Sequence, residues 1–118
     1  MMEPLISEFA HDPEMAGLVE EFLSGLAATC DSLRRSLASS DLPSIRRIGH
    51  QMKGAGGGYG FPALTAAGAA LEEAVDSDGA VSLNVREQAD RFLALCARAS
   101  LPLAGRPPLA VAAETDRL

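Results

Sequence analysis

The sequence contains no tryptophan, and aromatic residues fill only 4% of its 118 positions. A core without large rings must come from aliphatic side chains, and Ala and Leu supply most of the 47% hydrophobic share. Such a composition suits helices packed closely through small contacts. Basic residues are also few: 10 Lys and Arg stand against 16 Asp and Glu, for a formal net charge of -6 and a pI of about 4.8. That balance argues against nucleic acid or an anionic membrane as a partner, since both need a surplus of cations. No apolar run approaches the roughly 18 residues of a membrane-spanning helix. Met1-Met2-Glu3-Pro4 lacks the basic start and long apolar core of a secretion signal, so the expected location is the cytoplasm. Cys30 and Cys96 are the only cysteines, each on the apolar stripe of an expected helix. Reduced thiols acting as small hydrophobes fit that placement, with an inter-helix disulfide as the rival reading.

At this length the chain is expected to form one domain with a single modest core. Asp12-Pro13-Glu14 reads as a helix start, with Asp12 as N-cap and Pro13 in the first turn. Met15, Val19, Phe22, Leu26, Cys30, Leu33 and Leu37 follow at three- and four-residue steps, which predicts an amphipathic helix to about Ser39. Residues 4 to 10 are assigned a short additional N-terminal helix. Asp41-Leu42-Pro43 starts a second helix, whose inner stripe is Ile45, Ile48, Gly49, Met52, Gly56 and Tyr59. Gly60 fits a helix-ending position, and Pro62 opens a third helix lined by Leu64, Gly68, Leu71 and Val75. Asp76-Ser77-Asp78-Gly79 reads as the turn that stops it. A fourth helix begins near Ser82 or Asn84, where Asn84 and Glu87 have capping-box spacing, and its inner face is Val85, Ala89, Phe92, Cys96 and Ala99. No strand pattern is evident. The expected fold is all-α: an antiparallel up-down four-helix bundle over residues 1–100, followed by a loosely ordered tail over 101–118.

The segment from Arg46 to Gly60 departs from this ordinary pattern. On a helix at about 100° per residue, His50 lies away from the apolar stripe and faces solvent. Arg46 and Arg47 stand one turn before it, Lys53 and Gly54 one turn after, and Gly57 a further turn along. Glycine fills five of the seven positions from 54 to 60. As helix interior, Gly54, Gly56, Gly57 and Gly58 would together cost about 3–4 kcal/mol relative to alanine. Gly56 faces inward and would let another helix approach. Gly54 and Gly57 face outward, and their expected use is to keep the surface around His50 open to a partner. A neutral imidazole nitrogen is a good nucleophile toward phosphorus, and nearby Lys and Arg stabilise the charge a phosphohistidine adds. The segment holds no carboxylate pair for Mg²⁺ and no general base, so these must come from the partner. That describes a carrier rather than a self-sufficient enzyme, with no cofactor and no metal ligands of its own.

His50-Gln51-Met52-Lys53-Gly54-Ala55-Gly56, followed by Tyr59-Gly60, resembles the signature of the histidine-containing phosphotransfer (HPt) family. That signature is His, any residue, Leu or Met, Lys, Gly, two small residues, then an apolar residue and Gly. Leu64 and Leu71-Glu72 sit where the family has its following helix motif. The resemblance spans about residues 5 to 100 and is strongest from 46 to 72. It implies a four-helix bundle in which His50 accepts a phosphoryl group from an aspartyl phosphate on a response-regulator receiver domain and passes it to another. It further implies that Lys53 contacts the phosphoryl group, that Gly54 and Gly57 keep the docking surface open, and that Mg²⁺ resides on the receiver. A hybrid histidine kinase is a further expected partner, and the chain is expected to be a monomer. One departure stands out: the small-residue stretch is far richer in glycine than the family's Ser/Ala version.

Other readings fit less well. Lys53 precedes the glycines, whereas a phosphate-binding P-loop has its lysine after them. Phe61 stands where a dinucleotide fingerprint needs its third glycine. No His-Glu-x-x-His or Cys-x-x-Cys spacing marks a metal site. Gln51 and Gly54-Ala55 replace the acidic residue and proline of a kinase dimerisation helix. Arg46 and Arg47 are either phosphate contacts or members of a solvated face, and Tyr59 and Phe61 read as core residues. His11 lies in a polar turn and reads as incidental. The alternative from another class is a helical adaptor that docks a receiver or other protein without phosphorylation.

Overall fold

A computed structural model describes residues 4–100. Four helices follow in order: α1 (Pro13–Ala38), α2 (Leu42–Ala55), α3 (Pro62–Asp78) and α4 (Leu83–Arg98). They form an antiparallel up-down bundle, closed where α1 meets both α2 and α4. The expected tail over 101–118 lies outside the described residues.

Three of the four helices start where a side chain supplies the missing acceptor, and α3 starts after Phe61 with Pro62 in its first turn instead. The Asp12 carboxylate accepts from the Glu14 N–H at 3.0 Å, Asp41 accepts from Ser44 N–H at 3.2 Å, and the Ser82 hydroxyl accepts from Val85 N–H at 3.1 Å. Ser82 therefore caps α4. Asn84 lies inside that helix and accepts from the Gln88 side chain at 3.4 Å, so the Asn84–Glu87 box does not form. The third helix continues through Asp76-Ser77-Asp78 instead of stopping there. It ends only where Gly79 turns left-handed (φ 63°) and its N–H reaches the Val75 carbonyl.

Along all four helices the expected stripes face inward. Val19, Leu33, Ile45, Leu64, Leu71, Val85 and Phe92 are fully buried, as is Phe61 in the α2–α3 connection. Each such side chain contributes about 1.5–3 kcal/mol by leaving water, which is why an Ala- and Leu-rich sequence can hold a bundle of this size. Phe22 stacks on Tyr59 with ring centroids 4.5 Å apart and on Phe61 at 5.9 Å, tying the middle of α1 to that connection. Cys30 and Cys96 are free and buried, and burial beside Cys30 pushes the Cys96 thiol up.

The expected N-terminal helix over residues 4 to 10 is absent. Leu5–Ile6 forms a short strand, β1, paired in parallel with Ala99–Ser100, β2, directly after α4. The chain then lies against Gly60: Glu8 N–H donates to the Gly60 carbonyl at 2.8 Å and the Ser7 hydroxyl donates to the Tyr59 carbonyl at 2.7 Å. Those partners come from across the fold, so local sequence carries no trace of them.

Candidate functional site

Two glycines decide how the site is assembled. A Cβ at Gly49 would stand 2.8 Å from the Gly68 carbonyl oxygen and 2.9 Å from the Glu72 nitrogen. A Cβ at Gly68 would stand 2.7 Å from the Gly49 oxygen and 2.8 Å from the Lys53 nitrogen. The backbones of α2 and α3 thus touch where neither carries a side chain. This contact brings Glu72, one turn beyond Gly68, alongside His50, the residue after Gly49.

The His50 side chain is 62% exposed, as its position off the apolar stripe predicts. Its Nδ1 lies 2.9 Å from Oε2 of Glu72, whose own side chain is only 8% exposed. The Arg46 Nη2 reaches the same Oε2 at 3.0 Å, and the Lys53 Nζ reaches Oε1 at 3.0 Å. Arg46 is held from its far side by Asp76, Nε to Oδ1 at 2.7 Å and Nη2 to Oδ2 at 3.3 Å. The ion pair with Lys53 draws the Glu72 carboxyl below the usual carboxylate range; the His50 hydrogen bond adds to this, while burial opposes it. Arg46 likewise holds the Asp76 carboxyl down. Glu72 is therefore an ionised carboxylate and a hydrogen-bond acceptor. In a neutral ring, an ionised acceptor beside Nδ1 favours the proton on that nitrogen and leaves the lone pair on Nε2. Among the described residues Nε2 has no hydrogen-bond partner.

His50, Lys53 and Arg46 are thus brought together, but not as a rim of free cations. Both cations are engaged by a carboxylate that the segment from 46 to 60 does not contain. Arg47 is not part of this cluster: its Nη2 donates to the Ser44 hydroxyl at 3.3 Å, and it lines a groove between α1 and α2 with Arg35, Ser32 and Gln51. Glu72 and Asp76 are the participants that sequence reasoning missed. The available signal was their spacing, since Gly68, Glu72 and Asp76 recur every four residues on one stripe of α3.

The glycine run resolves into distinct roles. Gly54 is exposed, and a Cβ there would meet nothing within 4 Å. Gly56 is buried, and its Cβ would stand 2.7 Å from the Thr65 nitrogen, which is the close approach to α3 expected of it. The α-helix ends at Ala55, however, and the chain tightens into a 3₁₀ turn over Gly57–Tyr59. The Gly56 carbonyl accepts from both Tyr59 N–H (3.2 Å) and Phe61 N–H (2.9 Å), while the Thr65 hydroxyl accepts from Gly57 N–H at 2.6 Å. Gly60 then turns left-handed, φ 87°. Gly57 is exposed but lies on that turn, not one more α-helical turn past His50. The helix-interior cost assigned to Gly57 and Gly58 consequently does not apply.

The bundle thus displays an exposed histidine that is hydrogen-bonded through one ring nitrogen and open at the other. The Hpt domain family model matches residues 17–103, and the chain belongs to the Hpt domain family. Domains of this family serve as histidine phosphotransfer carriers in phosphorelay signalling, where they interact with receiver domains. Neither the curated proteins nor the solved structures contain a match to this chain. Among the described residues no helix is long and apolar enough to cross a membrane.

Proposed function

We propose that the chain is a phosphorelay carrier that accepts a phosphoryl group on His50 from a receiver aspartyl phosphate and returns it to a receiver. The observation that carries this reading is the exposed imidazole whose Nδ1 is tied to buried Glu72, which leaves Nε2 as the nucleophile. The Nε2 lone pair attacks phosphorus; the N–P bond forms as the acyl-phosphate P–O bond breaks, and that electron pair leaves with the receiver's aspartate. Nδ1 keeps its proton, and the positive charge the ring gains is held against Glu72. In the reverse direction the same proton makes the ring a neutral leaving group. Lys53 stands three residues after His50 on a flexible stem, and it exchanges Glu72 for phosphoryl oxygens as the product forms. Gly54 and Gly57 leave the approach to His50 open.

The receiver brings the Mg²⁺ that neutralises charge on the transferring group. A hybrid histidine kinase carrying a receiver is a suitable donor, and the carrier works as a cytoplasmic monomer without an ATP site. The decisive experiment mixes the protein with radiolabelled phosphorylated receivers. Acid-labile label should appear on the wild type and on His11→Gln, and disappear in His50→Gln with the fold intact. Retention of label in His50→Gln would sink the assignment. Stable receiver binding without any label on the wild type would favour the non-phosphorylated adaptor.

A further inference from the structure

The two oxygens of Glu72 are shared unequally. Oε1 receives Lys53 alone, whereas Oε2 receives both the His50 Nδ1 and the Arg46 Nη2. Arg46 in turn spans two carboxylates one helical turn apart on α3, Glu72 and Asp76. A planar guanidinium with donors in a fixed fork can bridge them; a single ammonium cannot do so with the same geometry. In sequence Arg46 reads either as a phosphate contact or as a member of a solvated face. In the structure its Nε and Nη2 are both committed to carboxylates.

We propose that Arg46, fixed in place by Asp76, is a positioning residue that holds the Glu72 carboxylate on His50 Nδ1 and thereby selects Nε2 as the reactive nitrogen. This deepens the carrier reading above and rests on it. The terminal torsion of a glutamate is broad and soft. With Lys53 as its sole cation, the carboxylate would be free to turn toward Nζ and leave the ring. An imidazole released from such a partner redistributes its proton between the two nitrogens, and every molecule protonated on Nε2 has lost its nucleophile at the open side. The ring itself contacts Glu72, and the groove beside that pair is lined by Arg46 and Lys53 from α2 and by Glu72, Glu73 and Asp76 from α3. Arg47, on the α1 side, is outside it.

The test separates positioning from direct contact. Imidazole ¹⁵N spectra of the unphosphorylated protein are recorded at about pH 8.5, where an ordinary imidazole is neutral. His11, the other histidine, serves as internal reference. Arg46→Gln should shift His50 from the Nδ1–H toward the Nε2–H signature. Its kcat for phosphoryl acceptance from one phosphorylated receiver should fall about three- to tenfold with KM nearly unchanged. Asp76→Asn should move both readouts the same way by less, and Arg46→Lys should restore them only in part. In a Glu72→Gln background, Arg46→Gln should add little. A wild-type tautomer signal in Arg46→Gln overturns the proposal; if transfer still falls, Arg46 is a direct phosphoryl or docking contact. Full restoration by Arg46→Lys also overturns it, because charge alone would then suffice. Failure of the carrier reading would look different: no label on the wild type, with the tautomer comparison still readable.

Discussion

At the scale of single residues, Lys53 has two competing partners. Its ammonium sits on Glu72 in the resting protein, so contact with a phosphoryl group replaces an existing ion pair instead of satisfying an idle charge. The gain is the difference between two charge-assisted contacts at a half-exposed position, and it is modest for that reason. Lys53→Ala should leave the fold intact, slow phosphoryl acceptance roughly tenfold and shift the equilibrium toward the phosphorylated receiver. The effect should shrink at high salt, since exposed charges are screened. Unchanged rate and equilibrium in a labelled-transfer assay would make Lys53 only a clamp on Glu72. The exposure of His50 and Lys53 was legible from spacing alone, because solvent exposure on a helix follows from periodicity. Glu72 was not, since its role depends on a partner 22 positions earlier in the chain and on which face of α3 meets α2. Arg47 was assigned to the cluster because i-3 and i-4 look equivalent along the chain, yet the two positions open onto different grooves once α1 and α3 are in place.

At the scale of elements, the α2–α3 contact is what the site depends on. Alanine normally improves a helix over glycine by about 1 kcal/mol. At Gly49 the added Cβ would press on backbone atoms of Gly68 and Glu72, which cannot swing away as a flexible side chain would. Gly49→Ala should therefore destabilise the protein by about 1–3 kcal/mol in urea unfolding and lengthen the His50–Glu72 contact. Equal or greater stability would mean that the helices part without cost. The glycine run predicts the opposite behaviour at its outer face. A Cβ at Gly57 meets only the Thr65 hydroxyl at 3.4 Å, an ordinary contact, so Gly57→Leu should keep its melting temperature within a few degrees. Transfer should nevertheless slow, because a leucine now stands on the exposed turn after α2. Wild-type transfer in that variant would remove the argument that the glycines clear the approach. Helix starts and inner stripes were readable because caps and periodicity are local signals. The end of α2 was not: the 3₁₀ turn depends on the Thr65 hydroxyl from the next helix, and β1 depends on the chain beyond α4.

At the scale of the whole molecule, the acidic balance meets the site through pH. Glu72 and Asp76 have carboxyls held below the usual range by Lys53 and Arg46 respectively, and hydrogen bonds donated by the Ser44 hydroxyl and N–H do the same for Asp41. The folded protein therefore keeps these groups ionised at acidities where the unfolded chain binds protons. Their contribution is complete above the unfolded value of about 4 and is lost as pH falls through the depressed folded values. Denaturation midpoints should hold from neutral pH to about 5 and then decline. Glu72→Gln should flatten part of that decline, since an amide has no proton to gain. An acid limb identical to wild type would show that Glu72 is no better placed in the folded state than in the unfolded chain.

The chain contains a single lysine, Lys53, and its Nζ rests on the carboxylate that contacts the His50 ring. Reductive methylation with isotopic formaldehyde would mark this one side chain together with the terminal amine, and it preserves the positive charge. The resulting methyl resonance would sit beside His50 and register each arrival and departure of a phosphoryl group as a change of anion at the same ammonium. For the proposed carrier, that side chain would be a built-in reporter of phosphoryl loading, read in real time without introducing a foreign label into the core.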